Sequence, residues 1–264
     1  MTKLINNHSK FCFFIVILTL FIFVGCATPK PHLTKINGKI IPIDHNIHPL
    51  SEYDDYIEPY RNHINQDLDN VLSYAPENMD KSQGKWQTTI GNFLADITLE
   101  KANSLFEKSK GKKVSICLLN HGGIRAPIAK GDVTARTAYQ IMPFENSLII
   151  AELKAEQIIE MVEYFVQVQR AHPIAGMQIE LSEDQNSYKN ILIQGQPLDM
   201  TKTYFVATSD FLMTGGDNMV FFEKAISSYD MNYKLRNLII DYFTENDTIP
   251  TVLDDRIRMN SNQN

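Results

Sequence analysis

Apolar positions along this chain change period several times, and each period predicts a different element. Phe11 to Val24 is apolar throughout except for Cys12 and Thr19. That run is too short for an ordinary membrane span. From Glu52 to about Tyr74, Ile57, Tyr60, Ile64, Leu68, Val71 and Leu72 recur at spacings of three and four, which predicts a helix. A polar break follows over Ala75 to Gly84. Ile90, Phe93, Leu94, Ile97 and Leu105 mark a second helix from about Ile90 to Lys108. Glu156 to Val166 and Leu235 to Glu245 carry the same helical period.

Between these segments lie shorter apolar stretches. Val114 to Leu119 sits between Lys-Gly-Lys-Lys and Asn-His-Gly-Gly, which predicts a buried strand. Leu148 to Leu153, Met177 to Leu181, Asn190 to Gln194 and Thr203 to Thr208 are further predicted strands. Gln194-Gly195-Gln196-Pro197 supplies turn chemistry between the last two. Helices and strands are interleaved, so the expected class is α/β (α+β), a mixed β-sheet flanked by helices.

The first 25 residues read as an address. Lys3 and Lys10 form a basic start to the apolar run, which ends in Phe23-Val24-Gly25-Cys26. This resembles a bacterial lipobox, so residues 1–25 are expected to be a lipoprotein signal peptide and Cys26 the lipidated N-terminus. An uncleaved anchor and ordinary secretion are the alternatives. Residues 26–51 are expected to be a membrane tether, with one short strand at Lys39-Ile40-Ile41. His45 and His48 lie in that stretch without helical pattern, so a solvated linker outweighs a metal site. Residues 52–259 form the expected domain, and residues 260–264 a disordered tail. The predicted location is the cell envelope, with the chain lipid-anchored in the periplasm or at the outer membrane.

Cysteine and charge narrow the partners. With Cys12 lost and Cys26 lipidated, only Cys117 remains, inside an apolar run. A disulfide within the chain is excluded, and Cys117 is expected to pack as a small hydrophobe. The formal charge of −6 becomes −8 when Lys3 and Lys10 leave with the signal. No basic block tracks a phosphate backbone, so no nucleic acid polymer is expected as partner. A small anion held by one or two arginines is still compatible.

The candidate chemistry gathers in three places. Asn120 leads into Gly122 and Gly123, where glycine lets backbone approach a ligand closely. Arg125 can present a planar fork of donors to a phosphate or ribose oxygen. Phe144 follows Pro143 in a polar loop, and Phe211 follows a predicted strand ahead of Thr214-Gly215-Gly216-Asp217. Two phenylalanines in loops suit stacking on a nucleobase, worth ~1–3 kcal/mol per base. Asp217 can accept hydrogen bonds from a ribose diol. Singly, each Phe is better read as core.

Jointly, the motifs resemble the C-terminal, substrate-binding domain of the 5′-nucleotidase family, which includes periplasmic UDP-sugar hydrolases and surface ecto-5′-nucleotidases. Asn120 to Arg125 is similar to the family's Asn-Gly-Gly-Gly-Ile-Arg. Met142 to Asn146 is similar to its Leu-Pro-Phe-(Gly/Glu)-Asn, and Thr208 to Asp217 to its Thr-Asn-Asp-Phe-Leu-x-x-Gly-Gly-Asp. Ile90 to Asp96, Gly195 to Tyr204 and Asp255-Arg256-Ile257 add softer matches, so the resemblance spans about Glu52 to Met259. It implies that Phe144 and Phe211 sandwich a purine, that Asn120 contacts the base, that Arg125 reaches the ribose-phosphate side and that Asp217 holds ribose hydroxyls. Gly122, Gly123 and Gly216 complete the expected substrate-binding set.

The chain also departs from the pattern. His121 replaces a glycine and is expected to put a ring where backbone should approach. The family's arginine before Ile90-Gly91-Asn92 is missing, and Lys85 is a candidate substitute. Trp86 is expected to pack half-buried. The family's two-metal motifs of Asp, Asn and His are not found, so catalytic and metal-binding residues are none in this chain. Divalent metals are expected only in a separately encoded metallophosphatase partner. The expected ligand is a nucleoside or nucleoside 5′-phosphate, and the expected role is nucleotide catabolism with that partner. A surface binding lipoprotein without enzymatic role is the alternative, and a scaffold that no longer binds is the third.

Overall fold

A computed structural model describes residues 11–17, 33–44, 47, 48 and 50–259. Cys26, His45 and residues 260–264 lie outside the described residues. The chain divides into two units, Met1–Ser51 and Glu52–Asn264. In the first, residues 11–17 are helical and residues 33–44 are exposed without regular structure. The strand expected at Lys39-Ile40-Ile41 does not form: Ile40 is 94% exposed. Two β-branched residues do not make a strand where no neighbouring strand pairs with them, and their amides stay with water.

The second unit opens with α1 (Ser51–Asp69) and β1 (Val71–Ala75). The helix expected through Tyr74 therefore ends early. Val71 to Ala75 pairs antiparallel with β3 (Gly131–Thr134) instead. Ser73 and Ala75 are buried while Val71 and Tyr74 are exposed, so a period near two takes over where the period of three and four had seemed to continue. No residue of α1 is buried, so its apolar stripe is not covered by the domain. Arg136 ties its end to the domain through Asp69 and Asn65.

The central sheet has the order β10-β4-β9-β2-β5. Its strands are β2 (Ile116–Leu118), β4 (Ser147–Lys154), β5 (Ile174–Ala175), β9 (Thr203–Ser209) and β10 (Ser227–Lys234). Only β2 and β9 run parallel; the other pairs are antiparallel. Both faces are covered, which explains the continuous apolar runs. Cys117, Leu148, Ile150 and Ala207 face α2 (Thr89–Lys110) and α6 (Leu235–Glu245). Ile116, Leu118, Leu153 and Val206 face α4 (Ala155–Val168) and a second sheet. That sheet has the order β11-β6-β7-β8, from β6 (Met177–Leu181), β7 (Tyr188–Ile193), β8 (Gln196–Pro197) and β11 (Ile257–Met259).

The short elements position the site. Thr134 caps α3 (Ala135–Ile141) by accepting from the Thr137 amide. Ser209 caps α5 (Asp210–Met213) through the Leu212 amide. Helical turns of the 3₁₀ type cover His121–Gly123, Gly216–Asn218 and Val220–Lys224.

Candidate functional site

The three motif regions converge on one cleft. Asn120, Gly122, Gly123, Arg125, Phe144, Phe211 and Asp217 all line it, together with Leu119, Met142, Asn146, Ser209 and Leu235. It encloses about 270 Å³. The topology accounts for the meeting: β2 and β9 are adjacent parallel strands, so Asn120 and Phe211 emerge at the same end of the sheet. The start of β4 pairs with the end of β9, Leu148 opposite Ser209, which brings the Phe144 loop to that end.

The two aromatic walls stand out from the surface. Phe144 is 41% exposed and Phe211 is 44% exposed, although Met142 and Leu212 close by in the chain are buried. Leu212 points into the core and turns Phe211 outward. Gly216 is needed beside that ring. A Cβ there would lie 2.5 Å from the Phe211 carbonyl oxygen and 2.6 Å from its ring. Gly216 does not itself line the cleft; it sets the place of the residue that does. The Phe144 wall is held from a distance. Buried Arg236 donates to the Phe144 carbonyl at 3.4 Å, pairs with the Glu145 carboxylate and lies 4.2 Å over Tyr139. Lys234 donates to the Glu145 carbonyl at 2.6 Å. Arg125 stands 5.8 Å over the Phe144 ring.

On the polar side, the Asn120 side-chain amide donates to Asp217 Oδ2 at 2.7 Å. This leaves Asn120 Oδ1 packed against Gly123, where any Cβ would approach it to 2.8 Å. Asp217 has left-handed backbone (φ 53°) and its carbonyl accepts from the Tyr164 hydroxyl at 2.8 Å. A non-glycine residue at positive φ stores strain, which suits a site held in advance of its ligand.

His121 does not obstruct the cleft. Its ring turns away and its Nδ1 meets the Ala171 carbonyl at 3.0 Å, while its amide donates to His172 Nδ1 at 3.2 Å. Because His172 Nδ1 accepts that bond, the ring is neutral and carries its proton on Nε2. Burial pushes His172 down to about 4. Its ring lies 5.5 Å from that of Tyr164. A chain of contacts thus runs from Asn120 through His121, His172, Tyr164 and Asp217 back to Asn120. Neither Tyr164 nor His172 carries a local sign in the sequence, since each acts through residues distant along the chain.

Lys85 does not substitute for the missing arginine within the cleft. It donates to Gln185 Oε1 at 2.6 Å and lies 5.1 Å over the Trp86 ring. Trp86 is buried rather than half-buried, with its Nε1 donating to the same Gln185 oxygen. Cys117 is fully buried, and burial pushes its thiol far up, away from any nucleophilic role. Among the described residues no group of three or more His, Cys, Asp or Glu could hold a metal ion, and the cleft residues do not fit one. No helix among them is long and apolar enough to cross a membrane.

A family model described as the 5′-nucleotidase, C-terminal domain matches residues 68–224. The chain belongs to that family. It is 29% identical over 229 residues to the trifunctional nucleotide phosphoesterase protein YfkN of Bacillus subtilis, covering 80% of this chain and 15% of that protein. It is 31% identical over 144 residues to protein UshA of Yersinia enterocolitica, covering 52% and 24%. The chain therefore spans less than a quarter of the length of these two relatives. Among solved structures, the 5′-nucleotidase precursor of Thermus thermophilus shares the fold with a TM-score of 0.64 at 22% identity, over 79% of this chain and 42% of that one. The fold of this 5′-nucleotidase C-terminal domain is thus mixed α/β, as the interleaved pattern predicts.

Proposed function

We propose that this chain is the nucleoside-recognising half of a 5′-nucleotidase-type phosphohydrolase. The observation that carries the reading is the pair Phe144 and Phe211, exposed phenylalanines from separate loops on one cleft. Rings kept half in water beside a close-packed core suit a flat apolar group between them. Asn120 and Asp217 meet at the polar edge, with Asp217 Oδ1 directed to ribose hydroxyls and Arg125 to the 5′ side. These residues bind and orient; the metals and the attacking water belong to a separately encoded metallophosphatase. The role is nucleotide catabolism at the cell envelope, with the chain anchored through lipid on Cys26. A surface receptor for nucleosides, without enzymatic role, is the second reading.

Calorimetric titration of the chain from Ala27 onward with adenosine and AMP tests the reading. Micromolar binding is expected, and Phe211→Ala weakens it about tenfold or more, as loss of one stacked base predicts. The chain alone releases no phosphate from AMP. Unchanged affinity in Phe211→Ala would refute the clamp, and metal-dependent hydrolysis by the chain alone would refute the division of labour. Restored hydrolysis on adding a metallophosphatase separates the first reading from the second.

A further inference from the structure

The first helix of the domain buries none of its residues, yet it carries a regular apolar seam. Along α1, Tyr53, Ile57, Tyr60 and Ile64 are all exposed. They follow one another at spacings of four, three and four, which is the repeat of a coiled-coil seam rather than the broader stripe of a core-facing helix. Asp55, Glu58, Asn62 and Gln66 take the far side. The domain holds α1 away from the seam, because Arg136 donates to Asn65 and Asp69. At 3.6 residues per turn, both lie about a third of a turn or more round the helix from the seam. Pro59 also falls away from it, so its ring stays out. Contiguous exposed apolar side chains with a polar border mark a surface that another element covers.

The order of residues along the seam selects the cover. Laid antiparallel on a second copy of itself, α1 sets Tyr53 against Ile64 and Ile57 against Tyr60, each pair occurring twice by symmetry. Every layer then matches a ring with a branched chain. A parallel pairing stacks Tyr on Tyr and Ile on Ile instead. The flanking charges make the same choice. Within one copy Arg61 donates to Asp54 at 2.8 Å across two turns, so both side chains lie along one flank of the helix. In the antiparallel register that flank brings Asp54 of each copy to Arg61 of the other. In the parallel register Arg61 comes beside Tyr56, and Asp54 meets no cation.

We propose that α1 is a self-association surface, on which two copies of this chain pair antiparallel about a two-fold axis between Ile57 and Tyr60. The seam has only four layers and is smaller than a standard interface of about 1,600 Å², so the dimer is weak and exchanges readily. No residue of α1 lines the ring cleft, so pairing leaves the cleft open.

Sedimentation equilibrium of the chain from Ala27 onward, from low micromolar to millimolar concentration, tests the proposal. The mass is expected to rise from one copy to two. Ile57→Lys keeps it at one copy, with the denaturation midpoint unchanged because the side chain is exposed. Asp54→Arg and Arg61→Asp each weaken association about tenfold, since two attractive flanking pairs become repulsive. An equal mixture of these two variants regains wild-type association. In the mixture every Asp faces an Arg on the other copy, while the contact within each copy stays broken. A wild-type chain that remains monomeric overturns the proposal, and so does a dimer that Ile57→Lys leaves intact. Variants that associate no better mixed than apart overturn the antiparallel pairing. A monomeric chain whose joint hydrolysis with a metallophosphatase is lost in Ile57→Lys assigns the seam to that partner and overturns self-association. Adenosine affinity is expected to be equal in wild type and Ile57→Lys, so failure of the dimer and failure of the ring cleft are read separately.

Discussion

The two aromatic walls of the cleft are built in opposite ways. Phe211 is placed by its immediate neighbours: the Ser209 cap, the inward anchor Leu212 and the close approach of Gly216. Phe144 is placed by side chains about ninety residues away, the guanidinium of Arg236 and the amine of Lys234 on the Phe144–Glu145 backbone. One wall is local and steric, the other long-range and electrostatic. Each can therefore be broken without touching the other.

The largest effect is expected from Arg236→Ala. The guanidinium is buried and serves the Phe144 carbonyl, the Glu145 carboxylate and the Tyr139 face at once. Its loss removes a packed stem as well as a charge. Glu145 is exposed, so it returns to water, and the cost falls mainly on the helix side, on the order of 3 kcal/mol. Chemical denaturation reads this as a lower midpoint with unchanged slope. Adenosine affinity falls as well, because the Phe144 loop loses its tether. Full affinity in the folded variant would show that the ring needs no brace.

How much of this was open to the sequence divides along the same line. The Phe211 wall lies inside one contiguous motif, Thr208 to Asp217, so order and wording suffice to find it. Asn120, Gly123 and Arg125 are likewise contiguous. Arg236 carries no local sign of its role, because it sits in a helix whose period explains only Leu235, Leu238, Ile239, Tyr242 and Phe243. The same limit hides Tyr164 and His172, which act through a carbonyl and a ring brought close only by the sheet order. Two further signals are local. Tyr229, Met231 and Tyr233 alternate with exposed residues along β10. Thr134 with Thr137 forms a capping box at α3. The reading of α1 meets another limit. An apolar stripe specifies a face, yet only contacts decide whether anything covers it, and Ile57, Tyr60 and Ile64 are all exposed.

The next effect in size comes from pH, and it separates the two sides. His172 is neutral in the fold, with its value lowered from 6.5 to about 4 by burial, while the unfolded chain takes up a proton near 6.5. Stability is thus unaffected above 6.5, declines as pH falls from 6.5 to about 4, and levels off below that. Between pH 7 and 5 the loss is about 2 kcal/mol. The groups that bear on His172 include Asp217, which favours protonation, and His121 and Arg170, which oppose it. Glu145 behaves otherwise. Its bond from Arg236 lowers it below the ordinary carboxylate value, so its contribution is kept until the pH falls below that range. Denaturation midpoints at pH 7, 6 and 5 should therefore decline, and His172→Phe, which cannot titrate, should reduce the decline, leaving the part due to His121, which burial also lowers. An undiminished slope in that variant would place the proton elsewhere. Arg236→Ala should leave the slope intact.

The smallest effect is the most local. Gly216→Ala adds one carbon where 2.5 Å separates it from the Phe211 carbonyl and 2.6 Å from the ring. Something must shift, and the backbone carbonyl is fixed by α5, so the ring tilts and the turn opens. Overpacking of this kind costs ~1–2 kcal/mol. The loss in adenosine affinity should approach that of Phe211→Ala, although no ligand-contacting atom has been removed. Combining the two substitutions should cost little more than Phe211→Ala alone, because once the ring is gone the added carbon has only the carbonyl to meet. Combining Gly216→Ala with Arg236→Ala should instead give additive losses, since the two walls share no bracing residue. Strong coupling in that second pair would mean that the walls are one unit, and the division into a steric and an electrostatic wall would fail.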